Sequence, residues 1–156
     1  MTGVEFAPYQ SSKLEVDLEP YTYIYLLQII IKNNQDNRIT GADALTLTGL
    51  AKGTNLFTRT TFADTVSITT QDIKPLQNHR EVRLEDGTTV QQAGIMAARI
   101  LTWGIPATAT TNNNLIITLT LQNGQTKTLT RDITTQLQQH PKGGIITVSL
   151  DAEEIF

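Results

Sequence analysis

Apolar residues follow two patterns along this chain, strict alternation over short stretches and one dense run. Leu14, Val16 and Leu18 interleave with Glu15, Asp17 and Glu19. Leu45 and Leu47 stand against Thr46 and Thr48, and Leu115, Ile117, Leu119 and Leu121 repeat the same period. A period of two sends successive side chains to opposite faces, so each stretch predicts a half-buried strand. The dense run is 21–31, YTYIYLLQIII, rich in aromatic and β-branched residues and free of Gly and Pro. It predicts one long strand. Tyr21, Tyr23, Tyr25, Leu27, Ile29 and Ile31 are expected on its core side. The opposite side carries Ile24, Leu26 and Ile30, where an ordinary sandwich strand is mostly polar. Two explanations stand open. Either a bulge near Leu26 or cover from a loop of the same chain hides these residues, or Ile24, Leu26 and Ile30 form a contact surface for a neighbouring domain or subunit.

Turn signals divide the remainder. Residues 1–13, with Pro8, read as a lead-in, and 14–156 as a single domain. A polar loop at 32–38 follows the long strand, and Gly49-Leu50-Ala51 ends the second one. Residues 55–63 are expected as a loop with Phe57 and Phe62 tucked inward. Val66 and Ile68 mark a short strand, Pro75 and Asn78 a loop, and Val82, Leu84 and Val90 a small hairpin around Asp86-Gly87. Residues 95–103 mix helix and strand preferences, but Gly94 and Gly104 bracket them at strand length, and a strand is expected. PATATTNNN at 106–114 predicts an exposed loop. In the hairpin 115–133, a two-residue Asn123-Gly124 loop would set Leu129 opposite Thr118, on the wrong face. A three-residue loop, Gln122-Asn123-Gly124, pairs Leu129 with Ile117 instead, and the apolar pattern selects it. Asp132 is placed to cap a short helical turn through Leu137, and 145–150 is the closing strand. Seven or eight strands that do not alternate with full helices predict an all-β, antiparallel two-sheet Greek-key sandwich.

Composition narrows the class. The 156 residues fit one domain, and 39% are hydrophobic, spread along the whole length. The net charge of −3 comes from scattered acids, and Lys and Arg never cluster, which argues against nucleic acid as a partner. With no cysteine there is no disulfide, no Cys-based zinc site and no thiol catalysis. The first residues, MTGVE, lack the basic start and apolar core of a signal peptide. The chain is therefore expected to be cytoplasmic, or a mature or trimmed segment of something longer. Thr supplies 26 of the 156 residues, a composition suited to exposed strand faces and an extracellular surface.

Candidate chemistry is sparse. His79 and His140 are the two histidines, and neither has a partner at set spacing. Asn33, Asn34, Asp36 and Asn37 offer oxygen ligands, yet the EF-hand spacing is missing and an Asx-rich turn accounts for them. No phosphate-cradling glycine pattern and no nucleophile elbow occur. The adjacent Glu153 and Glu154 read as solvated acids. Trp103 could stack a sugar ring, although a lone Trp between Thr and Gly more often belongs to a core. No enzyme, cofactor or metal site is expected.

Three pieces carry a resemblance: residues 14–21, LEVDLEPY; the strand YIYLLQIII; and 45–51, LTLTGLA. LTWG at 101–104, TRDIT at 130–134 and GGIITV at 143–148 agree with it. Together they resemble the fimbrillin-like lipoprotein family of the Bacteroides group, relatives of the minor and anchor subunits of type V pili. The likeness spans about residues 14–150 and rests on structural motifs. It implies a transthyretin-like sandwich, exported through a lipoprotein pathway and displayed at the outer membrane, with a neighbouring domain or pilus subunit as partner. Any membrane contact is expected to run through a lipid anchor outside these 156 residues. Such proteins usually carry a lipidated Cys near the start and often a separate N-terminal domain, and neither is seen here. The chain also ends six residues after its final predicted strand, and by that comparison it is expected to be without the long C-terminal extension of a polymerising pilin. An anchor-like or accessory module, an adhesin domain, or the C-terminal domain of a longer protein is expected. The second functional expectation is an outer-membrane glycan-binding module of a polysaccharide-uptake system. It would need an exposed aromatic platform from Trp103, Tyr9 and Phe57.

Overall fold

The structure, a computed structural model, describes residues 22–106 and 112–156. The predicted strand at 14–18, Tyr9 and Tyr21 lie outside the described residues, as does the middle of the 106–114 loop. In chain order the strands are β1 (Tyr23–Lys32), β2 (Ile39–Ala51), β3 (Thr65–Thr70), β4 (Gln77–Arg83), β5 (Thr89–Thr102), β6 (Asn114–Leu121), β7 (Thr126–Asp132) and β8 (Gly144–Asp151). Two short helices, α1 (Thr134–Gln139) and α2 (Ala152–Ile155), flank β8. Two four-stranded sheets result, ordered β4-β5-β1-β8 and β3-β2-β6-β7. The all-β two-sheet sandwich is as the patterns predict, with one difference: β8 runs parallel to β1, from Tyr25 beside Gly144 to Lys32 beside Asp151. The β1 sheet is therefore mixed. A period of two says which side chains face inward and is silent on the direction of the neighbouring strand.

Tyr25, Leu27, Ile29 and Ile31 are fully buried on the inner face of β1. They meet Met96, Ala98 and Ile100 from β5, and Ile146, Val148 and Leu150 from β8. The opposing sheet supplies Leu45, Leu47, Leu115, Ile117 and Leu119 to the same core. Ile133 at the cap of α1, Leu137 within it, and Ala152 and Ile155 of α2 join that core as well. Each fully buried Leu or Ile contributes about 1.5–3 kcal/mol, so this one cluster dominates the stability of the sandwich.

Several boundaries move. β2 begins six positions before Leu45, through GADA, which has no large apolar residue to announce it. β4 begins at Gln77, so Asn78 and His79 stand in a strand rather than a loop. The small hairpin strand and 95–103 are one continuous β5. The β6–β7 turn agrees with the three-residue reading: Leu129 pairs with Ile117 and Gly124 has φ +85°. Asp132 accepts from the amide of Thr134 at 2.9 Å, one residue ahead of the helix cap. Phe57 and Phe62 are corrected. Phe57 is 99% exposed and Phe62 49%, because 52–64 closes into a finger of its own instead of folding back on the core.

Candidate interaction surface

The outer face of the β1 sheet divides into a covered end and an open end. Ile30 lies at the covered end, only 3% exposed beneath Val90, Ala93 and the partly buried Val82, Leu84 and Ile95. The covering residues come from the β4–β5 hairpin. Ile95 stands directly across from Ile30, so Ile95 and Ala93 point outward. Regular alternation would next place Gln91 on that face. Gln92, at φ +51°, breaks the alternation without shifting the β4–β5 register, and Val90 lies there instead. The amides of Asn33 and Asn34 donate to the carbonyls of Gln91 and Gln92 at 3.3 and 2.9 Å and brace this irregular stretch of β5. Ile30 is thus sealed by the chain's own residues and is not part of any open face.

The open end begins where β1 begins. Ile24 is 51% exposed and stands across from Leu101, itself 61% exposed. Leu26, half-buried, lies between Arg99 of β5 and Ile145 of β8, and Ile145 is 60% exposed. The β1 pairing is continuous through this region, so no bulge at Leu26 turns these residues inward. Leu26 also borders a depression of about 330 Å³ shared with Asp72, Lys74 and Arg99. Ile24, Leu26, Leu101 and Ile145 form a contiguous apolar patch from three strands. Contiguous exposed apolar area of this kind marks interaction sites more often than scattered single residues do. Ile24 and Leu26 are readable from the alternation. Leu101 and Ile145 join them only through strand register, which the sequence does not state.

Trp103 is half-buried beside Gly104 and lines a shallow cavity of about 250 Å³ with Thr22, Lys52 and Leu101. His79 is exposed on β4, and His140 is exposed at the end of α1. Among the described residues no group of three or more His, Cys, Asp or Glu could hold a metal ion. None of the described helices is long and apolar enough to cross a membrane. The Asn33–Asn37 segment acts structurally. Asn34 is buried, its side chain accepting from the amide of Ile39 and donating to the Ile39 carbonyl, both at 3.0 Å. Hydrogen bonds from Thr134 hold the Asp132 carboxyl below its ordinary value, and those from Thr88 do the same for Asp86. Both carboxylates serve turns.

No protein-family model and no curated protein matches the chain. Among solved structures it is similar to a "putative adhesin" from Bacteroides ovatus, with a TM-score of 0.50 and 11% sequence identity. The likeness covers 92% of this chain and 53% of that one, so the chain spans about half the length of the protein it matches. At that identity the two proteins share a fold.

Proposed function

We propose that this chain is a non-enzymatic cell-surface module of the adhesin or pilus-accessory class, which holds a protein partner against the open end of the β1 sheet. The observation that carries this reading is the apolar patch of Ile24, Leu26, Leu101 and Ile145, exposed on an otherwise well-packed sandwich. The fold shared with the Bacteroides ovatus protein supports a surface setting, as does the threonine-rich composition. The resemblance to fimbrillin-like lipoproteins adds the outer membrane as location and a pilus subunit or adjoining domain as partner. The glycan-binding alternative has less support, because Trp103 is half-buried and its cavity is shallow.

Antibody labelling of intact, unpermeabilised source cells tests the location, and labelling is expected without permeabilisation. A photo-reactive residue at position 145 tests the surface. It should cross-link one protein species, and Ile24→Thr with Leu101→Thr should remove that product. Cross-linking unchanged by the double substitution would sink the proposed surface. Glycan binding lost in Trp103→Ala would favour the alternative.

A further inference from the structure

The finger at 52–64 is an organised element. The amide of Lys52 donates to the Asp64 carbonyl at 3.0 Å, Phe62 to Gly53 at 2.9 Å, and Asn55 to Thr60 at 2.9 Å. At the tip the Asn55 side chain accepts from the amides of Phe57 and Thr58 at 2.9 and 3.2 Å. The amide of Arg59 donates to the Asn55 carbonyl at 2.8 Å. Leu56, 57% exposed, and Phe57, 99% exposed, sit on this fixed tip. A pre-shaped apolar tip loses little conformational freedom on docking, and an aromatic anchor is a frequent hot spot of an interface.

The same molecule carries a receptor of matching chemistry. Between the β4–β5 hairpin and the outer face of the β1 sheet lies a groove of about 400 Å³. The half-buried Val82, Leu84 and Ile95 give it an apolar floor above the sealed Ile30. Gln28, Thr147 and Ser149 also line it, and Glu85 and Asp86 stand on its rim. A dry apolar cavity of about 150 Å³ already accepts a benzene ring, so the groove has room for a phenyl ring and a leucine side chain together. Charge also matches. The finger carries Lys52 and Arg59 with the acid Asp64, whereas the rim carries Glu85 and Asp86 with the base Arg83. Finger and groove lie toward opposite ends of the sandwich. The finger leaves β2 where Ala51 bonds to Gly104, close to the first residues of β1, and the groove lies over Ile30 near the last. One molecule therefore cannot fill its own groove.

We infer that the finger of one copy docks Leu56 and Phe57 into the groove of a second copy, a head-to-tail contact between copies of this chain. Such a contact uses two different surfaces, so it propagates into rings or open chains rather than stopping at a symmetric dimer. It is independent of the Ile24 patch.

Sedimentation velocity over a concentration series tests it with the full chain. The wild type should gain weight-average mass with concentration beyond a dimer. Phe57→Ser empties the finger, and Ser149→Arg fills the groove from an exposed position. Each variant alone should weaken association about tenfold or more. An equimolar mixture of the two should recover a species of two chains and no larger one, since each retains one intact half. A wild type monomeric throughout, association unchanged in Phe57→Ser, or a mixture that stays monomeric would each overturn the inference. So would a monomeric wild type that binds phosphatidylglycerol vesicles through Phe57, which would assign the finger to lipid.

Discussion

Asn113 stands in a run of three asparagines, and nothing in the sequence separates it from its neighbours. In the fold it is 1% exposed, and its side-chain amide donates to the carbonyls of Thr48 and Gly49 at 2.9 and 3.0 Å. Those carbonyls belong to the irregular stretch of β2, where pairing to β3 shifts between Leu47 and Leu50 and Gly49 adopts φ +71°. A Cβ at Gly49 would meet the Asn112 carbonyl oxygen at 2.6 Å. Gly49→Ala is therefore expected to cost about 2–3 kcal/mol in urea unfolding, from backbone strain and the close approach together. Asn113→Ala should cost about 1–3 kcal/mol, since it leaves two carbonyls without their donor. Tyr25 gives a prediction in pH. Its buried hydroxyl donates to the His140 carbonyl at 2.5 Å. Burial raises its pKa above the ordinary 10.0, opposed by a backbone hydrogen bond from Gly143 and aided by Tyr23. The fold holds the neutral phenol. Its contribution is complete below the unfolded value and is lost as pH rises from there through the higher folded one. Urea melts between about pH 9 and about pH 11 should lose stability more steeply for the wild type than for Tyr25→Phe; parallel slopes would refute the assignment. The burial of Tyr25 follows from its odd position in the dense run. The burial of Asn113 follows from a strand irregularity that no local pattern announces.

At the scale of elements, legibility tracks how much of each one's conformation is decided by its own residues. The β6–β7 hairpin is read correctly because its apolar faces allow only one register. Gly124 completes its loop, with the Gly124 amide donating to Leu121 at 2.9 Å and the Leu121 amide to Gln125 at 2.8 Å. A Cβ at Gly124 would meet nothing within 4 Å, so only the positive φ is at stake. Gly124→Ala should cost about 1 kcal/mol or slightly more, with register unchanged in amide exchange. A loss as large as that at Gly49 would show that the turn has contacts not yet recognised. The finger failed the same reading, because inward packing was assigned to Phe57 and Phe62 from hydrophobicity alone. Its shape is set by the Asn55 side chain and a bridge between Thr54 and Thr61, which are polar interactions. β8 lies parallel to β1 for a third reason. Its neighbour is set by where α1 carries the chain, across more than a hundred residues of sequence.

For the whole molecule, the violation of alternation in β1 has two outcomes that the sequence shows as one. Ile24 and Ile30 are both isoleucines at even positions of the same strand, yet one is open and the other is roofed by a hairpin from a distant part of the chain. The sandwich itself is legible because most of its strands record an inward face, β4 being the exception. Function is not, because the surface depends on which strands lie side by side. The contrast makes a test of the two ends. Ile30→Ala removes packing from a sealed cluster and should cost about 2–4 kcal/mol. Ile24→Thr with Leu101→Thr changes side chains already more than half in water. That pair should leave stability within about 0.5 kcal/mol per site and reduce binding of a hydrophobic dye. Chemical denaturation of both variants beside the wild type separates the cases. If the double variant unfolds as readily as Ile30→Ala, the open end is packed against something in the isolated chain and is not a free contact surface. If it stays as stable as the wild type while its cross-linked partner disappears, the patch serves contact between molecules and not the fold.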